Sequence, residues 1–137
     1  MDDALLAAYR ATAYRVRLAR GGWAALRVGH VPPDALQALI GARPWGFVTA
    51  WNPRSQPSPR IANRRAQHAL LDALCTLPES VLIRAGCGAG ADGWREPSLF
   101  VVGPTSRTLD RLAARYEQYA YLHGQGAAPA QLRLLRG

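Results

Sequence analysis

Lysine is absent from this 137-residue chain, and every one of its seventeen basic side chains is an arginine. With abundant alanine, glycine and proline, that usage points to GC-rich coding as one source of the net charge of +8. The arginines are scattered, and Arg64-Arg65 is their one adjacent pair, so a generally basic surface stands beside an anionic partner as a reading of the charge. Cysteine is scarce too. Cys75 and Cys87 make neither a disulfide framework nor a metal-ligand spacing. Cys75 is expected as a small core or boundary residue of a helix, and Cys87 as a thiol in an exposed glycine-rich loop. No apolar run approaches the roughly 20 residues of a membrane span. The start, MDDALLAAYR, lacks the basic and apolar regions of a signal peptide. A cytoplasmic protein without a membrane partner is expected.

Other chemistries are missing as well. His30, His68 and His123 lie far apart in sequence, no Ser-His-Asp or Cys-His arrangement can be specified, and no metal or cofactor is expected. Gly88, Gly90 and Gly93 match a dinucleotide-binding glycine pattern formally, but a strand follows them where that motif needs a helix. Only two phenylalanines are present, too few for the stacking pattern of RNA-binding sheets.

What is present is a soluble α+β pattern. Leu5, Leu6, Tyr9 and Ala13 have the spacing of a short amphipathic helix over Asp3–Tyr14. Tyr14–Leu18 and Trp23–Val28 form a hairpin across Gly21-Gly22. Pro32-Pro33-Asp34 opens a second helix to about Ala42, which Pro44 stops. Gly46–Trp51 is the best buried strand, ended by Asn52-Pro53. Ser58 is expected as the N-cap and Pro59 as the first residue of a helix to Leu77. Then follow a strand over Ser80–Ala85, a flexible loop over Gly86–Gly93 and a strand over Pro97–Val102. A helix capped by Thr105 or Ser106 and strands at Tyr119–His123 and Gln131–Leu135 complete the chain. From about residue 46 the order β-α-β-β-α-β is that of a ferredoxin-like split βαβ core. A helix-hairpin-helix extension precedes it and one strand follows, all in a single domain over residues 1–137. The first and third core strands should be central antiparallel neighbours, with the helices on one face.

That arrangement brings polar residues together. Trp51-Asn52 should lie beside Glu96 and Ser98, with Trp94 and Arg95 on the same edge. Asn63 shares a helix face with Leu70, Leu74 and Leu77, so it points inward and must find partners near Asn52, Ser55 or Glu96. The stretch VTAWNPRSQPSPRIANRRAQHALLDAL, with GADGWREPSLFVVG and LAARYEQYAYLHG, resembles the bacterial domain-of-unknown-function 3293 family from about Ala25 to the C-terminus. The resemblance rests on Thr49–Gln56, Asn63-Arg64 and Trp94–Ser98. It departs at Tyr116-Glu117-Gln118-Tyr119, where the family often reads Phe-Gly-Gln-Asn, and at Ala62, where an acid commonly stands. It implies no activity.

The candidate site is therefore Trp51, Asn52, Ser55, Asn63, Arg64, Trp94, Glu96 and Ser98. Glu96 is either a general acid or base or the partner of Arg95, Arg64 or another arginine. Trp51 and Trp94 stack on a ligand or pack the rim. Asn52 and Ser55 build a turn, bind substrate, or both. Arg60, Arg64 and Arg65 bind phosphate or carboxylate, or are solvated charge. Three functions follow: a module binding a small anionic, nucleotide-like ligand, nucleic-acid binding through an open sheet face, or a structural and protein-interaction role without a ligand.

Overall fold

The structure is a computed structural model that describes residues 2–135. Helix α1 (Asp3–Ala11) leads into strands β1 (Ala13–Arg17) and β2 (Trp23–Leu26), then α2 (Asp34–Ile40) and β3 (Pro44–Val48). After a 3-10 turn at Pro53–Ser55 come α3 (Arg60–Thr76), β4 (Leu82–Ala89) and β5 (Arg95–Val102). Helix α4 (Ser106–Arg115), β6 (Ala120–Gln125) and β7 (Gln131–Leu134) close the chain. The seven strands form one sheet in the order β2-β1-β4-β5-β3-β6-β7, antiparallel throughout. β3 and β5 are central neighbours, with Phe47 opposite Phe100 and Val48 opposite Leu99.

Alternation along the strands sends side chains to two cores. Val48, Leu99 and Val101 meet Leu70 and Leu74 of α3 and Leu109, Leu112 and Ala113 of α4 on one face. Tyr14, Val16, Trp45, Phe47, Phe100, Val102 and Leu122 occupy the other, with Leu36 and Ile40 of α2. The two helices of the β-α-β-β-α-β run, α3 and α4, thus share one face, and α2, which precedes that run, lies on the other. The second face is concave because the sheet curls: the Gly29 amide donates to the Ala130 carbonyl at 2.8 Å, and the Ala130 amide to the His30 carbonyl at 2.9 Å. Those contacts join the segment after edge strand β2 to the one before edge strand β7. With Phe100 and Trp45 buried inside it, this face is not an open platform for stacking bases.

Several boundaries differ from the sequence reading, each for a local reason. β3 starts at Pro44 and leaves the ladder after Val48, because the Ala50 amide donates to Gln67 Oε1 of α3 at 2.9 Å. Helix α3 starts at Arg60 with Pro59 at the cap, and the Ser58 amide is taken by Asn52 Oδ1 at 3.1 Å. The glycine-rich stretch from Gly86 is strand as far as Ala89, not a flexible loop. Its glycines make room: a Cβ at Gly86 would sit 2.7 Å from the Phe47 ring. Cys87 is therefore in β4 and half-buried, whereas Cys75 is exposed instead of lying in the core. Among the described residues no helix is long and apolar enough to cross a membrane.

Candidate functional site

The ladder leaves a gap where β5 begins. Glu96 has Gly88 as its partner on β4, and Gly88 in turn faces Tyr14 of β1. On the other side β3 has already left the sheet, and Thr49 Oγ1 reaches back to donate to the Pro97 carbonyl at 2.8 Å. The Glu96 side chain therefore has a residue without a side chain on one flank and no strand on the other. The opening is a cavity of about 420 Å³ lined by Leu5, Ala8, Tyr9, Asn52, Ser55, Asp92, Trp94 and Glu96 among others. A smaller void of about 30 Å³, bounded by Tyr14, Phe47, Ser98 and Gln118, continues behind Glu96. That is room for about one water.

Helix α1 forms the outer wall. Asp2 caps it, accepting from the Leu5 amide at 2.7 Å. It is amphipathic in sequence, yet none of its residues is buried; Leu5, Ala8 and Tyr9 face the cavity instead of a core. The helix is pinned at two points. Tyr14 Oη donates to the Tyr9 carbonyl at 2.6 Å, and the Tyr9 and Ser55 hydroxyls are 3.0 Å apart. Opposite stands Trp94, whose ring lies against the backbone of β4, 3.6 Å from where a Cβ at Gly88 would be. The indole remains 40% exposed.

Glu96 is the chemically unusual group. Its carboxyl has no hydrogen-bond or ion-pair partner among the described residues; only its main-chain carbonyl is engaged, by Ser98 Oγ at 3.1 Å. Among the described residues the expected bridge to arginine is not made. Arg95 donates to the carbonyls of Trp94 at 2.8 Å and Gly90 at 3.4 Å, and Arg64 lies exposed on α3. Burial without compensation disfavours the charged form, and it raises the Glu96 pKa from the ordinary 4.5 to about 8. Asp110 shows the opposite case. Arg133 binds it through Nε at 3.0 Å and Nη2 at 2.7 Å, Tyr121 Oη adds a bond at 2.7 Å, and its pKa is held low chiefly by the arginine.

Asn63 does find its inward partners, and they are at Asn52. Asn63 Oδ1 accepts from the Asn52 amide at 2.9 Å, while Asn63 Nδ2 donates to Asn52 Oδ1 at 2.8 Å. With a further bond to the Ser58 carbonyl at 3.3 Å, both N–H groups of the amide are used, and no bond from it reaches Glu96. This lock holds a turn with three left-handed residues, Asn52 (φ 48°), Arg54 (φ 57°) and Ser55 (φ 56°). Such backbone costs on the order of 1–3 kcal/mol per residue and persists only where surroundings enforce it. The Arg54 amide is held by the Glu117 carbonyl at 2.7 Å, and Glu117 itself has φ 54°.

Of the sequence candidates, Asn52, Ser55, Trp94 and Glu96 line the main cavity, and Ser98 the void behind it. Trp51 does not line either; its carbonyl accepts from Gln118 Nε2 at 3.1 Å. Asn63 supports the turn from behind, and Arg64 stands apart. Tyr9, Leu5, Ala8, Thr12, Asp92 and Gln118 were not singled out. The amphipathic stripe of α1 was the signal for Tyr9 and Leu5, but nothing local says that its apolar side faces a cavity. Among the described residues no group of three or more His, Cys, Asp or Glu could hold a metal ion.

The fold and this site define an α+β protein with a small-molecule-sized cleft at one end of a curled antiparallel sheet. Residues 48–121, just over half the chain, match the family described as protein of unknown function (DUF3293), and the chain belongs to it. No curated protein and no solved structure matches the chain. The matched segment contains Asn52, Ser55, Trp94, Glu96, Ser98 and Gln118, whereas the α1 wall lies outside it.

Proposed function

We propose that this protein binds a small organic molecule in the cleft under α1, and that Glu96 is its proton donor and acceptor there. One observation carries the reading: a half-buried carboxyl with no partner among the described residues stands on the wall of a cavity of about 420 Å³. Pockets of about 300–1,000 Å³ with apolar walls and a few convergent polar groups are the usual form of small-molecule sites. A carboxyl whose pKa is near working pH is suited to general acid-base work. The strained Asn52–Ser55 turn supports the same reading, since such backbone concentrates at functional sites. The anion-accepting character expected from the sequence is not part of the proposal, because no arginine lines the cleft.

The test is a fragment screen by NMR on the full chain, reporting on its four tryptophan indoles. A cleft ligand shifts the Trp94 indole and the Tyr9 and Ser55 amides and leaves buried Trp45 unmoved. Fragments that move only surface residues far from Glu96 contradict the reading.

We also read the run β3-α3-β4-β5-α4-β6 as a ferredoxin-like split βαβ core, with the α1-β1-β2-α2 segment as a helix-hairpin-helix extension; the strand order β4-β5-β3-β6 supports it. A second functional reading, nucleic-acid binding, draws support from the exposed arginines at 60, 64 and 65 on α3 and at 107, 111 and 115 on α4. Affinity falling steeply with salt is its signature, and retention on a nucleic-acid column that does not change with salt contradicts it.

A further inference from the structure

We infer that the cleft under α1 takes an organic cation, a protonated amine carried on an apolar body. The inference rests on the cleft being a ligand site and adds what enters it. The lining residues include two acids, Glu96 and Asp92, and no arginine, lysine or histidine. In a chain of net charge +8 that local sign is opposite to the whole. The charged and titratable groups facing Glu96 are Tyr9 from α1, Tyr14 from β1, Tyr121 from β6 and Asp92 from the β4–β5 loop. Burial is the first cause of the raised pKa of all three phenols, so they stay neutral and protonated while Glu96 titrates.

Each part of such a ligand has a counterpart. Leu5, Ala8 and the exposed indole of Trp94 offer apolar surface to the body. An indole face also attracts a cation, by about 0.5–2 kcal/mol depending on desolvation. The Asp92 carboxylate is kept beside that indole, with Oδ1 accepting from the Trp94 amide at 3.0 Å. The ammonium head meets Glu96, the carboxyl that no arginine among the described residues neutralises. An anion entering the same space loses its water and gains no cationic partner, with Asp92 repelling it.

The protonation balance is explicit. The amine arrives as R–NH3+, the Glu96 carboxyl gives its proton to solvent, and the complex holds ammonium and carboxylate. One proton leaves per complex, no covalent bond of the ligand changes, and affinity rises with pH until Glu96 is ionised in the free protein.

The experiment compares three probes of one shape, 2-phenylethylamine, 2-phenylethanol and 3-phenylpropanoate, on the full chain. NMR locates each, and calorimetry at pH 7 in two buffers of different ionisation enthalpy counts protons. The amine is expected to shift Trp94 and to bind about tenfold or more tighter than the other two, as one hydrogen bond between charged groups allows. It should release close to one proton, and Glu96→Gln should abolish that release and cost about tenfold in amine affinity. If the alcohol or the carboxylate binds in the cleft as tightly as the amine, the cation inference is overturned and the ligand site stands. If no probe moves Trp94 at millimolar concentration, both are overturned. Should Glu96→Gln not fold, the unmodified protein still decides: an amine complex formed without proton release overturns the inference.

Discussion

Where β3 begins, α2 buries Leu36 and Ile40 completely in the cluster that holds Trp45 and Leu122, and Gln125 Nε2 ties the end of that helix to the sheet through the Ala42 carbonyl at 2.6 Å. Where β3 ends, α1 overhangs the same concave face, and its best-covered residues, Leu5, Leu6 and Tyr9, are only half-buried. Both helices are amphipathic and both precede a strand of the same sheet. The difference lies in what they cover. Under α2 the strands present aromatic and aliphatic side chains; under α1 they present Gly88, a strand that has already departed, and an unpaired acid. Filling is a property of the strand surface at least as much as of the helix placed on it. The unfilled end is where a ligand supplies the missing contacts.

That contrast can be broken by mutation. The largest effect should come from the closed end: Ile40→Ala is expected to lose about 3 kcal/mol in denaturant unfolding, the usual cost of emptying a core site. A loss below about 1 kcal/mol would mean that this end is loosely filled too. Next is Glu96→Gln. In the native protein the Glu96 pKa is raised, to about 8 from 4.5, so folding favours the protonated acid. Its stabilising contribution is complete below pH 4.5 and is lost as pH rises through 8. The glutamine variant should therefore match the parent in acid and exceed its stability at pH 9 by about 2 kcal/mol, a figure set below the full shift because solvent partly reaches the group. Parallel stability-against-pH curves for the two proteins would show that Glu96 is not held neutral.

Smaller effects sharpen the comparison further. Glu117→Gly relieves a left-handed residue in the contact that holds the Asn52–Ser55 turn, and it sacrifices only an exposed ion pair to Arg54 at 3.7 Å. A gain of about 1 kcal/mol in thermal or denaturant unfolding is expected, and a loss would mean that the ion pair outweighs the strain. Smallest of all is Leu5→Ala on α1, expected within about 0.5 kcal/mol of the parent in stability while weakening any ligand that shifts Trp94. A destabilisation comparable to that of Ile40→Ala would show α1 to be a core helix.

Much of this was legible in the residues. The helical phase of Asn63 against Leu70 and Leu74 pointed it inward, and of the three partners left open, Asn52, Ser55 and Glu96, it is Asn52 that it meets. The antiparallel return of β5 put Glu96 at the same edge. What escaped depended on contacts across the chain. Nothing near Tyr9 says that its hydroxyl meets Ser55, and α1 was legible as a helix but not as a cavity wall. The stretch from Gly86 to Ala89 has loop composition, yet it is strand, paired with β1 on one side and β5 on the other, and a Cβ at Gly86 would collide with the Phe47 ring. The bridge from Glu96 to an arginine was a reasonable charge pairing between sequence neighbours. It fails because Arg95, one residue along the strand, points to the opposite face and spends its guanidinium on the carbonyls of the hairpin loop.

At pH 7 Glu96 should be a neutral acid open to the cleft, with no partner among the described residues. Carbon-detected NMR of the glutamate side-chain carboxyls through a pH titration tests it most directly, with Glu96→Gln identifying the resonance. A midpoint near 8 for Glu96, well above those of the other glutamates, is the predicted result. A midpoint near the ordinary 4.5 would mean that the group is solvated or paired, and it would contradict the account of the site.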